Sequence, residues 1–222
     1  MPKLKPETQL ARREHILDAA ERCFAKAGFH RTTMQDICKT ADVSAGALYV
    51  HFDSKEALIA GLCQRNRAKL TDDIGRLAAA PDLMSALAAL GTHYTIEEPQ
   101  HKRVLHVEIG AESTRNAQVA ANFISVDRFV REQFELLFAR ASEQGRIEPS
   151  VPPKQLAAVL CVIGDGLFWR RAVDPDFDAN AIIPVLTAMI AGLVNPVVER
   201  PSPTSATAEP SSPNRASRGS PS

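Results

Sequence analysis

The sequence predicts an all-α fold. Nearly every apolar stretch repeats with a helical period, no stretch alternates as a strand does, and Gly or Pro punctuates the helical segments. The first segment runs from Glu7 to Ala27, with Ile16, Ala20, Phe24 and Ala27 on one face and Gly28 as its stop. Thr32 reads as the N-cap of a short second helix through Met34, Ile37, Cys38 and Ala41, with Gln35 completing a capping box. Ser44 caps a third short helix from Ala45 to Val50, and the run Asp53-Ser54-Lys55-Glu56 caps a long fourth one reaching Leu77. Pro81 opens a segment over Asp82 to Ile96, and Pro99 opens another over Gln100 to Glu112. A long helix from Asn116 to Gln144 ends at Gly145, Pro152-Pro153 starts one through Leu167, and the last covers Asp178 to Val194. That makes about nine helices.

Composition narrows the class. The chain has 222 residues, 45% of them hydrophobic and 23% charged, with a formal net charge of zero, values ordinary for a globular protein. The zero conceals a division: Lys and Arg outnumber Asp and Glu in residues 1–70, and the reverse holds beyond. A basic front end suits contact with a polyanion. The four cysteines are spaced by 15, 25 and 98 residues, so no CxxC pair exists for a zinc ribbon or a redox motif, and no metal site is expected. The N-terminus lacks the apolar run of a signal peptide and no apolar run is long enough for a membrane span, so the expected location is cytoplasmic. Residues 199–222 hold five prolines and seven serines and almost no large apolar side chain, the composition of a disordered tail.

The informative stretch is Thr32 to Leu58, TTMQDICKTADVSAGALYVHFDSKEAL. It combines a short helix, a turn at Ala41-Asp42-Val43, a second short helix and a capped third one, which is the helix-turn-helix arrangement. Ile37, Val43 and Leu48 are spaced to fill the small core between the first two. Ser44, Ala45 and Gly46 are small, so the backbone there can approach DNA closely and offer helix N–H groups to phosphate.

The paired threonines, the Ile-Cys-x-x-Ala run, Val43-Ser44-x-Gly46-x-Leu48-Tyr49 and His51-Phe52-x-Ser54-Lys55-Glu56-x-Leu58 resemble the DNA-binding domain of TetR-type regulators from Arg13 to Leu62. The resemblance implies a helix-turn-helix domain over 1–53 and an effector-binding and dimerisation domain over 54–198. It implies phosphate contacts at Thr33, Tyr49 and Lys55, and base or phosphate contacts at Gln35, Ala45, Gly46 and His51. The family usually carries Gly where this chain has Asp42, a residue that tolerates a left-handed backbone at some cost.

In that family the last two helices pair with those of a second copy. Leu160, Ile163, Leu167, Leu186, Met189, Ile190 and Leu193 are the expected apolar anchors. A dimer presents two recognition helices about one DNA turn apart to a palindromic operator. Effector pockets lie among the middle helices. Phe123, Phe129, Phe168 and Trp169 are candidate walls there, and His106, Glu108, Glu112 and Asp165 candidate polar groups. A carboxylate among aromatic rings favours a cationic or phenolic ligand. His106 has Gly110 where a zinc-binding helix needs a second His, and neither a Gly-rich phosphate loop nor a G-x-S-x-G elbow occurs. No enzyme activity and no cofactor are therefore expected. The sequence points to a ligand-released repressor of an efflux or catabolic operon. An activator would share these motifs, whereas a helical module that does not bind DNA would have no use for Tyr49 and Lys55.

Overall fold

The computed structural model describes residues 6–197, which form nine α-helices joined by short turns. These are α1 (Pro6–Ala27), α2 (Met34–Thr40), α3 (Ala45–Tyr49), α4 (Lys55–Ala79), α5 (Leu83–Thr92), α6 (Gln100–Ser113), α7 (Ala117–Glu143), α8 (Pro153–Val173) and α9 (Ala179–Val194). The expected tail at 199–222 lies outside the described residues. No strand forms among them; a single isolated bridge joins Ile147 to Pro196.

Two apolar cores organise the chain. The first buries Ile16, Leu17, Ala20 and Phe24 of α1 against Ile37, Ala41, Leu48 and Phe52, and continues through Leu58, Ile59 and Leu62 into Leu105, Ile109 and Val119. The second gathers Ile74, Leu77, Leu83, Leu87, Phe134, Phe138, Leu156 and Ile190. Each fully buried Leu, Ile or Phe contributes about 1.5–3 kcal/mol by leaving water. Helix α4, with 25 residues and roughly 37 Å of length, belongs to both cores and ties the helix-turn-helix head to the body. It lies close on the head at Gly61, where a Cβ would come within 2.9 Å of the Phe52 ring and 3.0 Å of Leu17, so only glycine fits without repacking.

Helix starts follow side-chain chemistry. Ser44, Ser54, Asp82, Asn116 and Asp178 each accept a first-turn N–H and cap the helix behind them. Two expectations are corrected. The cap of α2 is Thr33 with Asp36, not Thr32 with Gln35: Thr33 Oγ1 accepts the Asp36 N–H at 3.1 Å, and Asp36 accepts the Thr33 N–H at 3.0 Å. Thr32 is instead buried, its hydroxyl donating to the carbonyls of Gly28 and Cys23. The segment expected as one helix to Ile96 leaves α-geometry after Thr92 and finishes as a π-helical turn, His93–Glu97. Insertions of that kind change which side chains face inward.

Asp42 in the turn between α2 and α3 has φ +49°, the left-handed region in which a Cβ is crowded by the backbone. Replacing it by Gly removes that strain but frees the unfolded chain, so the net gain is about 0.5–1 kcal/mol. The expected result for Asp42→Gly is a rise of about 1–4 °C in thermal midpoint, followed by circular dichroism. An unchanged or lower midpoint would show the turn to be unstrained.

Candidate functional site

The face built by α2 and α3 exposes Gln35, Ser44, Ala45, Gly46 and Tyr49 together. Tyr49 is 53% exposed, an aromatic with no packing duty of its own. Nothing lies within 4 Å of the position a Cβ would take at Gly46, so the chain's own packing does not require glycine there. Ser44 Oγ accepts the Ala47 N–H at 3.2 Å and keeps its own proton for an outside acceptor. His51 is half-buried. Burial and then the charges of Arg12 and Arg13 hold its imidazole below the ordinary value, so at neutral pH it acts as a neutral hydrogen-bonding group.

Two of the expected phosphate contacts are already engaged inside the chain. The Thr33 hydroxyl donates to Asp36 Oδ2 at 2.6 Å, and that bond is the first cause holding the Asp36 carboxyl below its usual range. The Lys55 ammonium is turned inward, donating to the Phe29 carbonyl at 2.6 Å and lying 4.4 Å from the centre of the Phe29 ring. Its place in the first turn of α4 lays the side chain across the corner between α1 and α2, against Phe29.

That corner is also held from the body. Glu108 of α6 accepts the Phe29 N–H at 2.6 Å. Gly28, at φ +81°, leaves room for this, since a Cβ there would meet Glu108 Oε1 at 3.0 Å. One helical turn on, buried Glu112 lies 2.9 Å from His30 Nε2 and accepts from Arg115 Nε at 2.8 Å. Further along α1, the buried Glu21 carboxylate pairs with Arg65 of α4 and with His101 of α6 at 2.9 Å. His101, Glu108 and Glu112 thus form one polar edge of α6 set against the head.

The neighbouring face of α6 lines a cavity of about 530 Å³ bordered by α4, α5, α6, α7, α8 and α9 and by Asp18 and Glu21 of α1. Lys102, Leu105, His106 and Ile109 face into it. At 100° per residue these positions centre roughly a quarter-turn from the head-gripping edge. Most of the wall is apolar, from Leu87, Leu90, Val130 and Phe134 to Leu160, Ile163, Leu167, Leu186 and Ile190. At one end Glu98 pairs with Lys69 and with Lys102. Burial pushes the Glu98 carboxyl up, but these hydrogen bonds and charges outweigh it and hold it below its ordinary value. Tyr94 donates to buried Asp73, and burial followed by that carboxylate pushes its phenol well above the usual range. Burial likewise raises the wall thiols Cys63 and Cys161 to about 11, so neither is a reactive thiolate.

Of the expected ligand groups, His106, Phe123, Asp165 and Phe168 line this cavity. Glu108 and Glu112 do not; they belong to the joint with the head. Phe129 lies outside it beneath Arg67, 4.5 Å from the guanidinium carbon, and Trp169 is 54% exposed on the outer side of α8. Most of the expected dimer anchors lie inward in the single chain. Leu160, Ile163, Leu167, Leu186 and Ile190 turn into the cavity, and Leu193 packs on the second core. Of the seven, Met189 is the one exposed outward, beside Ile182 and Val185 of α9, while α8 exposes Val159, Val162, Trp169 and Val173. Both helices are apolar on more than one side, so period alone did not separate the inner stripe from the outer one. The cavity residues Lys69, Tyr94 and Glu98 were missed as well. Tyr94 and Glu98 sit in and just after the π-turn, where no helical register carries over from α5.

Residues 16–62 match the family profile described as bacterial regulatory proteins, tetR family. Residues 85–195 match that of the BetI-type transcriptional repressor, C-terminal. The chain is 30% identical to the HTH-type transcriptional regulator UidR of Escherichia coli K12 over 198 residues, 87% of this chain and 98% of that protein. This chain belongs to the TetR family of transcriptional regulators. It is also 25% identical to the HTH-type transcriptional repressor AcnR of Corynebacterium efficiens over 72% of this chain and 81% of that one. Among solved structures, Salmonella enterica GusR superposes with a TM-score of 0.71 at 31% identity, covering 86% of this chain and 98% of its own. A complex of SmeT with triclosan shares the fold, with a TM-score of 0.69 at 23% identity, over 87% and 100% of the two chains. TetR-family proteins of this kind are DNA-binding regulators and not enzymes. Among the described residues, no helix is long and apolar enough to cross a membrane, and no cluster of three or more His, Cys, Asp or Glu forms a metal site.

The expected close approach of α3 to DNA can be tested at Gly46. Helix propensity favours Ala by up to about 1 kcal/mol and the site is open, so Gly46→Ala should fold with an equal or higher thermal midpoint. A methyl added at a close backbone–DNA approach should weaken DNA binding by about tenfold or more, measured by fluorescence anisotropy. Undiminished affinity would remove α3 from the interface.

Proposed function

We propose that the chain is a cytoplasmic repressor that binds a palindromic operator as a homodimer. A small, largely apolar effector entering the cavity releases it, and the target is an efflux or catabolic operon. The head would comprise residues 1–53 and the effector and dimer domain 54–198, with Gln35, Ser44, Ala45, Gly46, Tyr49 and His51 at the DNA. One observation carries the ligand-release reading: α6 presents adjacent faces to the cavity and to the head. An effector that prefers a displaced α6 would also prefer a displaced head, and only that preference lowers DNA affinity. The exposed stripe Val159, Val162, Trp169, Val173, Ile182, Val185 and Met189 supports the dimer, because a stripe that large on two adjacent helices asks to be covered.

The test is a titration of the full-length protein against its own upstream intergenic DNA with random DNA as competitor. The expected outcome is a discrete complex that survives competitor and contains two copies of the chain. Val162→Asp, at the centre of the stripe, should sediment as a monomer and lose the complex. A Val162→Asp protein that stays dimeric would move the interface elsewhere. Loss of the wild-type complex in competitor, together with an empty genome-wide selection of sites, would end the regulator reading.

The joint has its own test. Glu108→Ala removes the acceptor from the Phe29 N–H without touching the cavity wall. Any compound that releases the wild type should bind this variant within about threefold, yet change its operator affinity at least about fivefold less. Equal release by both proteins would take Glu108 out of the coupling.

A further inference from the structure

We infer that the cavity selects a lipophilic cation, seated between the Asp165 and Asp127 carboxylates and the rings of Phe168, Phe123 and His106. This rests on the reading of the cavity as the effector site and adds the ligand's charge to it. The charges in the wall decide the sign. Asp18, Glu21, Glu98, Asp127 and Asp165 supply five carboxylates against the three cations Arg65, Lys69 and Lys102. Every one of those cations is already spent. Arg65 pairs with Asp18 and Glu21, and both lysines pair with Glu98, so an anionic ligand would have to break an existing pair to gain one.

The far end differs. Asp127 is bridged by Arg131 of its own helix, one turn away at 2.8 Å. Asp165 has no Lys or Arg partner among the described residues; its side chain is more than half exposed at the cavity mouth, its Oδ1 3.5 Å from His106 Nε2. Both carboxylates act on the same patch of wall, since after burial they are the causes that push the Cys161 thiol up. The patch is aromatic as well. His106 stacks on Phe168 with ring centres 4.9 Å apart and lies 5.8 Å from Phe123. A delocalised cation gains there from ring faces and from a carboxylate lacking a strong partner, while its apolar body meets Leu, Ile and Val side chains. A sugar or other strongly hydrated ligand would find too few polar partners in such a wall to replace its water.

Tetraphenylphosphonium and tetraphenylborate test the charge directly, being closely matched in size and shape and opposite in sign, with neutral triphenylphosphine oxide as the third probe. Trp169, the sole tryptophan, stands one helical turn from Asp165 and reports binding to the full-length protein by its fluorescence, with calorimetry as a second readout. The expected result is one phosphonium bound per chain, at least about tenfold tighter than the borate or the phosphine oxide. Asp165→Asn, at a position more than half exposed and safe for folding, should weaken the phosphonium about tenfold and leave the phosphine oxide unchanged. Equal or tighter borate binding, or an Asp165→Asn protein with unaltered phosphonium affinity, overturns the inference. If the phosphine oxide binds as well as the phosphonium and releases DNA, the effector reading survives and the charge preference falls. If none of the three binds, the cavity itself is not the effector site and both fall.

Discussion

The structure depends on how the peptide of Phe29 is held. Its N–H goes to Glu108 of α6, its carbonyl to the Lys55 ammonium of α4, and its ring lies under that ammonium and against Phe24. One residue in the corner between α1 and α2 is thus fixed by two helices that both continue into the body. Gly28 makes this geometry accessible, because its left-handed backbone turns the chain and its missing side chain lets Glu108 approach. Charge-assisted bonds of this kind are short, directional and worth roughly twice neutral ones, so they fix orientation more sharply than the apolar packing of Leu105 and Ile109 beside them. The position of the DNA-binding face relative to the cavity follows from that corner.

Helix α6 carries the consequence. Its wall-lining positions 102, 105, 106 and 109 and its head-gripping positions 101, 108 and 112 cannot move independently, since a helix transmits a shift of one face to the next. Coupling of this form is reciprocal: DNA that favours one setting of α6 must weaken any ligand that favours another, by the same factor. In the proposed release the π-turn between α5 and α6 would absorb the change, because its register is already broken and its end at Glu98 is tied to Lys69 and Lys102 on the cavity wall.

Much of this was legible in the residues. Ser44, Ser54, Asn116 and Asp178 announce helix starts because a short polar side chain has one local use there, and Gly28 and Gly145 announce stops for the converse reason. The helix-turn-helix was legible because its small core, tight turn and capped neighbour leave few alternatives. Thr32 and Thr33 were confusable because both threonines precede a plausible partner, and the choice fell to Asp36, whose charge is the better acceptor at a helix start. Glu108 and Glu112 were expected as polar groups of the pocket but meet the head instead. Their spacing places them on one edge of α6, yet spacing does not say which neighbour that edge meets. On α8 and α9 apolar residues run almost all round, and a one-dimensional pattern cannot divide cavity wall from outer stripe when both are apolar.

Glu21 ties the head to the cavity wall. It belongs to α1, accepts from Arg65 of α4 and His101 of α6, and also borders the cavity, so wall and joint share a side chain. Leaving a buried charge with no partner costs about 3–5 kcal/mol, and Arg65 protects Glu21 from that. In the proposed switch the Glu21–Arg65 pair between α1 and α4 therefore stays intact. The weaker contact yields instead: His30 is largely exposed, and its pairing with Glu112 is backed up by Arg115, which leaves the buried carboxylate satisfied when His30 swings away. Each buried carboxylate thus keeps an arginine when its histidine contact is lost, and α6 contributes to both.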